Sequence, residues 1–251
     1  MTSTLRTSFL ATAATVAMAA ALITMGSSRA SATTQICDKY GSTKVSSGHY
    51  VVQNNEWGAD TRQCISVTDD GFSITAADHN NPTNGSPASY PSIYAGCHFG
   101  NCSADSGLPF QVGHFVAPRT SVDFTTSGDG QWDAAYDIWF DPNPNPSGHN
   151  TGAEMMIWAD HRGNPQPAGS KVGTANIAGS SWEVWRGGIV VSYVRVSAVN
   201  SLSDLSIKDF TDDAEQRGYI DRDWYLTSVQ FGFEPWQGGA GLTVNSFSFT
   251  P

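Results

Sequence analysis

Two glutamates stand inside strongly apolar, strand-like segments, where a carboxylate is costly unless it is paired, solvated or used. Glu154 lies in AEMMIWAD (153–160), and Glu234 lies in SVQFGFEPW (228–236). Because side chains alternate between the two faces of a strand, each glutamate shares its face with Trp or Met residues. The alternative is an ordinary solvent-facing glutamate, but a solvated face would carry Lys, Thr and Ser. The neighbours therefore favour a functional face.

A third segment, AAYDIWF (134–140), has the same character, because Asp137 and Trp139 share one face of it. Two carboxyl groups among aromatic rings suit the cleavage of a glycosidic bond. One carboxylate attacks the anomeric carbon or activates water, and the other group protonates the leaving oxygen. Trp and Tyr rings provide flat apolar surfaces on which sugar rings can stack.

The composition argues against several other classes of protein. The 251 residues carry a net charge of −10, and a nucleic-acid-binding protein normally has a basic face instead. Motifs for an α/β-hydrolase serine, a zinc protease, a P-loop or an EF-hand are missing from the sequence, and its six histidines are scattered. We therefore expect no metal and no cofactor, and neither a nucleic acid nor a membrane as partner.

The N-terminus has the pattern of a secretory signal peptide. Arg6 precedes a short apolar stretch at 9–23, and Ala30-Ser31-Ala32 is a small-residue cleavage signature. A membrane anchor is the alternative, but the stretch is too short and is interrupted by threonines. We predict a signal peptide over 1–32, secretion to the cell exterior, and a single domain over 33–251, because no linker or repeat divides that part.

The four cysteines predict two disulfides, since an even number in a secreted chain usually forms bridges. Cys97 and Cys102 bracket a Gly-containing tip that resembles a hairpin, so their pairing is the economical choice among three. Cys37 would then bond Cys64. A zinc site that includes a histidine is the alternative, but the spacing fits no usual C-x-x-C pattern.

Most of the remaining segments alternate with a period of two and end at Gly, Asn, Asp or Pro, which is typical of antiparallel strands. We predict strands over 63–67, 72–76, 110–116, 120–125, 134–140, 153–159, 182–186, 188–199, 225–234 and 242–249. One stretch suits a helix, because Leu205, Phe210 and Ala214 recur at near-helical spacing. Ser203 or Ser206 could cap it, and Gly218 could end it. Many strands and one helix predict a two-sheet β-jelly-roll sandwich.

Several motifs together resemble those of glycoside hydrolase family 12, in particular its secreted actinobacterial endo-β-1,4-glucanases. The resemblance covers nearly all of 35–251. The motifs are NNEWG (54–58), SYPSIYAGCHFGNC (89–102), AAYDIWF (134–140), GAEMMIW (152–158), the run at 205–220, and FGFEPWQGGAGL (231–242).

The resemblance implies a concave all-β jelly roll with an open cleft and a retaining mechanism. By motif position, Glu154 is expected to be the nucleophile, Glu234 the general acid/base, and Asp137 the partner of the nucleophile. Expected substrate-binding residues are the N-x-W pair, the residues that share strand faces with the glutamates, and an aromatic near a distal subsite. These are Asn55, Trp57, Met156, Trp158, Trp236 and Tyr40.

The resemblance further implies a secreted, monomeric enzyme that hydrolyses internal β-1,4 bonds of cellulose and related β-glucans. Two alternatives remain open at this stage. A related jelly-roll xylanase or a xyloglucanase would also use two glutamates across a cleft. A non-catalytic carbohydrate-binding, lectin-like module would explain the tryptophans and the sandwich, but not two glutamates on one surface.

Overall fold

The computed structural model of the protein describes residues 1–2, 33–126, 129–146, 148 and 151–251. Apart from its first two residues, the predicted signal peptide over 1–32 lies outside the described residues. The described residues from 33 onward are mostly in strands, and these strands form two sheets.

The smaller sheet has six strands within the described ranges. Their spatial order is β1 (Thr34–Ile36), β4 (Gln63–Val67), β5 (Phe72–Ala77), β17 (Thr243–Thr250), β9 (Arg119–Thr125) and β15 (Ser201–Ser206).

The larger sheet has eleven strands in the same part of the chain. The main path runs β12 (Ser170–Ile177), β13 (Ser180–Gly187), β14 (Val190–Arg195), β11 (Ala153–Arg162), β10 (Gln131–Asp141), β16 (Tyr225–Gln237), β6 (Ser92–His98), β3 (Tyr50–Gln53) and β2 (Ser42–Val45). Two short strands lie off this path: β7 (Asn101–Cys102) pairs with β6, and β8 (Phe110–Gln111) pairs with β16. All of these pairs are antiparallel except β11 with β14. The two sheets confirm the predicted all-β sandwich.

Aromatic side chains fill the space between the sheets. Phe231 on β16 lies 5.1 Å from Phe124 on β9 and 4.9 Å from Tyr136 on β10, measured between ring centroids. Phe233 contacts Phe72 on β5 in the same way, at 6.1 Å. These rings are buried, and they fix one face of β10 and of β16 against the smaller sheet. Because successive side chains alternate, the other face of both strands points away from the core.

The helix α1 (Ile207–Gln216) forms where the sequence predicts one. Ser206 is its cap, and the Ser206 hydroxyl accepts a hydrogen bond from the Asp209 backbone N–H at 3.2 Å. Leu205 is a correction, since it is the last but one residue of strand β15 and does not belong to the helix. Gly218 has φ +74° and terminates the helical region, as predicted. No helix among the described residues is long and apolar enough to cross a membrane.

Two strand predictions need correction, and several observed strands, β6 among them, were not predicted. The strand predicted over 110–116 is only two residues long, because a 3₁₀ turn over Val112–His114 follows β8. The one predicted over 188–199 is shortened to β14. Strand β6 was not predicted, because its first five residues are all buried and show no alternation.

Both predicted disulfides are present. Cys37 bonds Cys64 across 27 positions of sequence, and Cys97 bonds Cys102 across 5. The second bridge closes the antiparallel pair β6–β7, which confirms the hairpin. All four sulfurs are therefore used, and the zinc alternative loses its thiolate ligands.

Candidate active site

Three neighbouring strands bring the predicted catalytic residues together. Strand β10 lies between β11 and β16, so it separates the strand of Glu154 from that of Glu234. Glu154 pairs with Trp139, and Asp137 pairs with Met156. Asp137 and Glu154 are therefore diagonal neighbours on one face, which brings their side chains within reach of each other. This face is the one that points away from the core.

Two cavities, of about 720 Å³ and about 810 Å³, open on this face and meet at the glutamates. Glu154, Glu234 and Trp57 line both of them. We call the cavity of about 720 Å³ the first cavity. It is also bordered by Tyr40, Asn55, Tyr90, Phe99, Asp137 and Trp139. We call the cavity of about 810 Å³ the second cavity. It is also bordered by Met156, Trp158, Trp236 and residues of the loops 83–87 and 164–169. Every predicted catalytic and substrate-binding residue therefore lies on one cleft.

The loop that carries Trp57 is fixed by backbone contacts. Glu56 donates its N–H to the Lys39 carbonyl, and Gly58 donates its N–H to the Ala88 carbonyl, at 2.9 and 2.8 Å. A β-carbon at Gly58 would lie 2.0 Å from the Pro87 carbonyl oxygen, so this close approach requires glycine. The Trp57 side chain remains 46% exposed above the cleft.

The tryptophans of the second cavity are placed differently. Trp158 is only 1% exposed and Trp236 only 2%, and they pack with Met156 in a small apolar cluster on the cleft face. The Trp236 indole donates a hydrogen bond to the Gly85 carbonyl at 2.8 Å. These rings line the cavity but are almost fully buried, so they shape its wall, and Trp236 supports the loop at 83–87.

Asp137 is held by its neighbour on the same strand. The Trp139 indole N–H donates a hydrogen bond to Asp137 Oδ2 at 2.7 Å. Asp137 Oδ1 is buried without a hydrogen-bond donor among the described residues. Burial, followed by the charge of Glu154, raises the pKa of Asp137 well above its ordinary value. Asp137 is therefore suited to keep a proton beside an ionised Glu154.

Asp133 is a site residue that the sequence reasoning missed. It pairs with Glu234 in the register of β10 and β16, and it is fully buried. Neither oxygen of Asp133 has a partner in full hydrogen-bond geometry among the described residues. Burial raises the pKa of Asp133 to about 8, and the adjacent carboxyl and backbone N–H of Glu234 oppose part of that rise. Asp133 lies on the same strand face as Asp137 and Trp139, so the alternation of side chains could have identified it. It was missed because the predicted strand began at Ala134, whereas β10 begins at Gln131.

The two glutamates both have raised pKa values. Burial raises the pKa of Glu154. Burial, the charge and hydrogen bond of Asp133, and the charge of Glu154 together raise the pKa of Glu234 well above its ordinary value. Of the two, Glu234 is therefore the group suited to start protonated, and Glu154 the group suited to be ionised.

Tyr90 adds a neutral hydroxyl to this group of acids. Its O–H donates a hydrogen bond to the Ala135 carbonyl at 2.9 Å. Burial, followed by the charge of Asp137, raises the Tyr90 pKa well above its ordinary value. Tyr90 lies in the motif at 89–102, but that segment shows no periodicity and no role was predicted for Tyr90. Other lining residues of the first cavity that were not predicted are Ser42, Gln53, His98, Phe99 and Asn101.

Protons, rather than cations, balance the charge of the acid cluster formed by Asp133, Asp137, Glu154 and Glu234. No Lys, Arg or His within the described ranges forms an ion pair with any of the four groups. Two of these carboxyl groups are buried and two are half-buried. Neighbouring carboxyl groups in such a site, without a counterion, cannot all ionise near neutral pH, so they share protons. Such a cluster can both donate a proton and supply a nucleophilic carboxylate.

Comparisons with known proteins identify the family. Residues 48–250 match the model of glycosyl hydrolase family 12. The chain is 39% identical over 147 residues to "Probable cellulase Cel12b" of Mycobacterium tuberculosis, which covers 57% of this chain and 96% of that protein. It is 30% identical to "Endoglucanase S" of Pectobacterium parmentieri, over 79% of this chain and 80% of the relative.

Solved structures agree with this result. The structure of "Endoglucanase cel12A from Rhodothermus marinus" matches with a TM-score of 0.83 at 46% identity, over 86% of this chain and 98% of that chain. The "Native family 12 xyloglucanase from Bacillus licheniformis" matches with a TM-score of 0.78 at 29% identity, over 86% and 99% of the two chains. The fold, the paired carboxyl groups on the cleft face and these matches together show that the chain belongs to glycosyl hydrolase family 12.

Proposed function

We propose that this protein is a secreted endo-β-1,4-glucanase that cleaves internal bonds of cellulose and related β-glucans with retention of anomeric configuration. The observation that carries the proposal is the position of Glu154 and Glu234 where the two cavities meet. A glucan chain lying along the cleft would extend to both sides of the carboxyl groups. Such an arrangement favours cleavage within the chain over removal of terminal units.

In the first step, a Glu154 carboxylate oxygen attacks the anomeric carbon of the sugar in the cleft. The bond from that carbon to the glycosidic oxygen breaks, and Glu234 donates its proton to the leaving oxygen. In the second step, Glu234 takes a proton from water as the water oxygen attacks the same carbon. The ester bond to Glu154 breaks, which regenerates the carboxylate and the protonated Glu234.

The raised pKa of Glu234 is linked to the charge of Glu154 throughout this cycle. While Glu154 is ionised, its negative charge helps to keep the proton on Glu234. Once Glu154 becomes a neutral glycosyl ester, that repulsion disappears and Glu234 can ionise. The same contact therefore supports the acid role in the first step and the base role in the second.

Asp137 and Asp133 act on one glutamate each. We assign to a protonated Asp137 Oδ1 a hydrogen bond to the Glu154 carboxylate, since the other Asp137 oxygen already accepts from Trp139. Asp133 shares a proton with Glu234 and so raises the affinity of Glu234 for its proton. Both aspartates are positioning residues, because they act through the glutamates.

The experiment that tests the proposal follows products by proton NMR during hydrolysis of cello-oligosaccharides. Retention predicts that the β anomer forms first and then equilibrates slowly to the mixture. On soluble carboxymethyl-cellulose, endo-cleavage predicts a rapid fall of viscosity relative to the release of reducing ends. An initial α anomer would overturn the retaining mechanism, and viscosity that falls only in proportion to reducing ends would overturn the endo mode.

Xyloglucan is the second candidate substrate, because relatives named for it also match this chain. "Xyloglucan-specific endo-beta-1,4-glucanase A" of Emericella nidulans is 27% identical over 80% of this chain. The endoglucanases of Pectobacterium parmentieri and Aspergillus kawachii match at 30% and 32% identity, which favours unbranched glucan. Rates on carboxymethyl-cellulose, xyloglucan and xylan, measured side by side, rank the three polymers directly.

Secretion is part of the proposal. It is supported by the charged and apolar pattern of residues 1–32 and by two disulfides, which persist in oxidising compartments. N-terminal sequencing of protein recovered from the culture medium tests the cleavage after Ala32, and the activity of that mature protein tests the assignment of 33–251 as the catalytic domain.

A further inference from the structure

A buried network of polar side chains lies behind the loop that carries Asn55 and Trp57. At its centre is Gln63, which begins β4 and is only 1% exposed. The Gln63 amide nitrogen donates hydrogen bonds to the backbone and side-chain oxygens of Asn54, at 2.7 and 2.9 Å. Both partner atoms are acceptors, so the opposite orientation of the Gln63 amide would set oxygen against oxygen. The orientation of this amide therefore decides how Asn54 is held.

The oxygen of the Gln63 amide faces two donors. Ser89 donates its hydroxyl to Gln63 Oε1 at 2.7 Å, and His79 Nε2 lies 2.6 Å from the same oxygen. An amide oxygen can only accept, so His79 Nε2 must carry a hydrogen. The other ring nitrogen, His79 Nδ1, lies 2.7 Å from the Thr61 hydroxyl. Burial lowers the pKa of His79, against the opposing charge of Asp78, so near neutral pH the imidazole is uncharged with its hydrogen on Nε2.

Through Gln63 the network reaches the cleft from two sides. Asn54 precedes Asn55 in the chain, and Ser89 precedes Tyr90. The Asn55 carbonyl accepts a hydrogen bond from the Tyr90 backbone N–H at 2.9 Å, and both residues line the first cavity. Asn55 has a φ of +39°, a conformation that persists in a residue other than glycine only where the surrounding structure enforces it. The two ends of the Gln63 amide therefore fix the chain on both sides of the Asn55–Tyr90 bond.

We propose that His79 is a positioning residue for substrate binding, whose Nε2–H fixes the Gln63 amide and thereby holds Asn55 in the geometry that receives a glucan chain. This inference rests on the proposed glucanase function. His79 and Gln63 line neither cavity, so they can act only through the loop. With the ring hydrogen on Nδ1 instead, His79 Nε2 and Gln63 Oε1 would be two acceptors facing each other. The Gln63 amide would then turn, and its oxygen would repel the oxygens of Asn54.

The first test separates binding from chemistry by kinetics on carboxymethyl-cellulose. His79→Phe keeps a buried ring but removes the donor to Gln63, so KM should rise about three- to tenfold while kcat changes by about twofold at most. His79→Gln can place an amide N–H near the position of Nε2, so its KM should return to within about twofold of the wild type. The matched control is Thr120→Val on the smaller sheet, which removes a buried hydroxyl that donates to the Ser248 carbonyl at 2.8 Å. It should lower Tm and leave KM unchanged.

A double-mutant cycle with Asn55 tests the route of the effect. Asn55→Gly suits the positive φ but lacks the side chain that borders the first cavity. If His79 acts through Asn55, His79→Phe should change KM by about twofold or less in this background. A purely structural effect would multiply KM by the same factor in both backgrounds.

A spectroscopic test uses the wild-type protein and does not depend on the folding of His79→Phe. Nitrogen-15 NMR of the imidazoles distinguishes the two tautomers, because the nitrogen that carries the hydrogen differs from the one that accepts. We expect His79 to hold its hydrogen on Nε2 near neutral pH. The signal is assigned by its loss in His79→Gln.

The outcomes separate this proposal from the one on which it rests. A wild type without activity on β-1,4-glucans would overturn both. In an active wild type, a hydrogen on Nδ1 alone, or an unchanged KM in His79→Phe, would overturn the role of His79 only. A loss that His79→Gln does not restore, or that is equally large in the Asn55→Gly background, would also overturn it. A raised KM that Gln restores and that Asn55→Gly largely abolishes supports the positioning role.

Discussion

The two cavities that meet at Glu154 and Glu234 use aromatic residues in opposite ways. In the first cavity, Tyr40, Trp57 and Phe99 are exposed and present their surfaces to the cleft. In the second cavity, Trp158 and Trp236 are buried, and the loops at 83–87 and 164–169 supply much of the lining beyond the shared Trp57. Sequence patterns that place a tryptophan beside a catalytic strand do not distinguish these two uses.

The difference indicates how each half would hold a glucan chain. Exposed rings can stack on sugar faces and contribute binding directly. Buried rings keep the shape of the wall, and the binding groups there would be polar side chains and backbone amides of the loops, such as Asn84, Asn164 and Gln166. Substitutions in the two halves should therefore fail in different ways, whereas substitutions at their junction should stop the reaction altogether.

Glu154→Gln should have the largest effect, because both halves depend on the nucleophile between them. An amide cannot form the glycosyl ester, so kcat should fall by about 10⁴-fold or more on every substrate. Initial rates on carboxymethyl-cellulose and on an aryl cellobioside measure the loss. An active variant, purified free of wild-type enzyme, would assign the nucleophile to another residue.

Glu234→Gln should have a large effect that depends on the leaving group. The proton from Glu234 is needed when a sugar leaves, so kcat on cello-oligosaccharides should fall about 10²- to 10⁴-fold. The first step should suffer much less with an activated aryl leaving group, which departs without a proton. Burst kinetics on 2,4-dinitrophenyl cellobioside can report this step. Equal losses on both substrate types would contradict the acid role.

Trp57→Ala and Trp158→Ala sharpen the contrast between the halves. Removal of the exposed Trp57 ring should reduce kcat/KM on long oligosaccharides about tenfold with little change in Tm. Removal of the buried Trp158 ring should instead lower the free energy of unfolding by about 3–5 kcal/mol. Kinetics and thermal melts of both variants measure the two effects. The reverse pattern would show that the exposure difference has no functional meaning.

Asp133→Asn should have the smallest effect, and it should depend on pH. Its folded pKa is raised, so the folded state keeps a proton that the unfolded chain loses above a pH of about 4. This difference makes the buried acid increasingly destabilising as pH rises from there toward the folded pKa. The variant lacks the penalty, so its stability relative to wild type should increase between pH 4 and pH 8, by about 1.4 kcal/mol for each pH unit over which only the folded state holds the proton.

A spectroscopic measurement separates this effect from general repacking. Without the Asp133 charge, the pKa of Glu234 should decrease, which carbon-13 NMR of the side-chain carboxyl can follow. Asp123 is a suitable control, because it is an exposed acid on the smaller sheet, and Asp123→Asn should leave the titration of Glu234 unchanged. An unshifted Glu234 pKa in Asp133→Asn would show that the two groups do not share a proton.

Much of the fold and the candidate site follows from local patterns in the sequence. Alternation assigned the correct faces to strands β10, β11 and β16, because the pleat forces successive side chains to opposite sides. That rule alone placed Glu154, Glu234 and Asp137 away from the core. Hairpin geometry likewise supported the Cys97–Cys102 bridge. Leu205, in contrast, was placed in the helix because near-helical spacing also occurs by chance at a strand end.

Tertiary structure decided which of these residues meet and which neighbours they gain. Asp133 becomes the partner of Glu234 only through the register of β10 with β16, which joins residues 101 positions apart. Phe99 reaches the first cavity only because the hairpin is anchored to Ser42 and Gln230, and Trp158 is buried only because Trp236 and Met156 cover it. Alternation of side chains is a property of a single strand. Register, burial and shared protons depend instead on contacts between distant parts of the chain. Such contacts exist only once both sheets have formed.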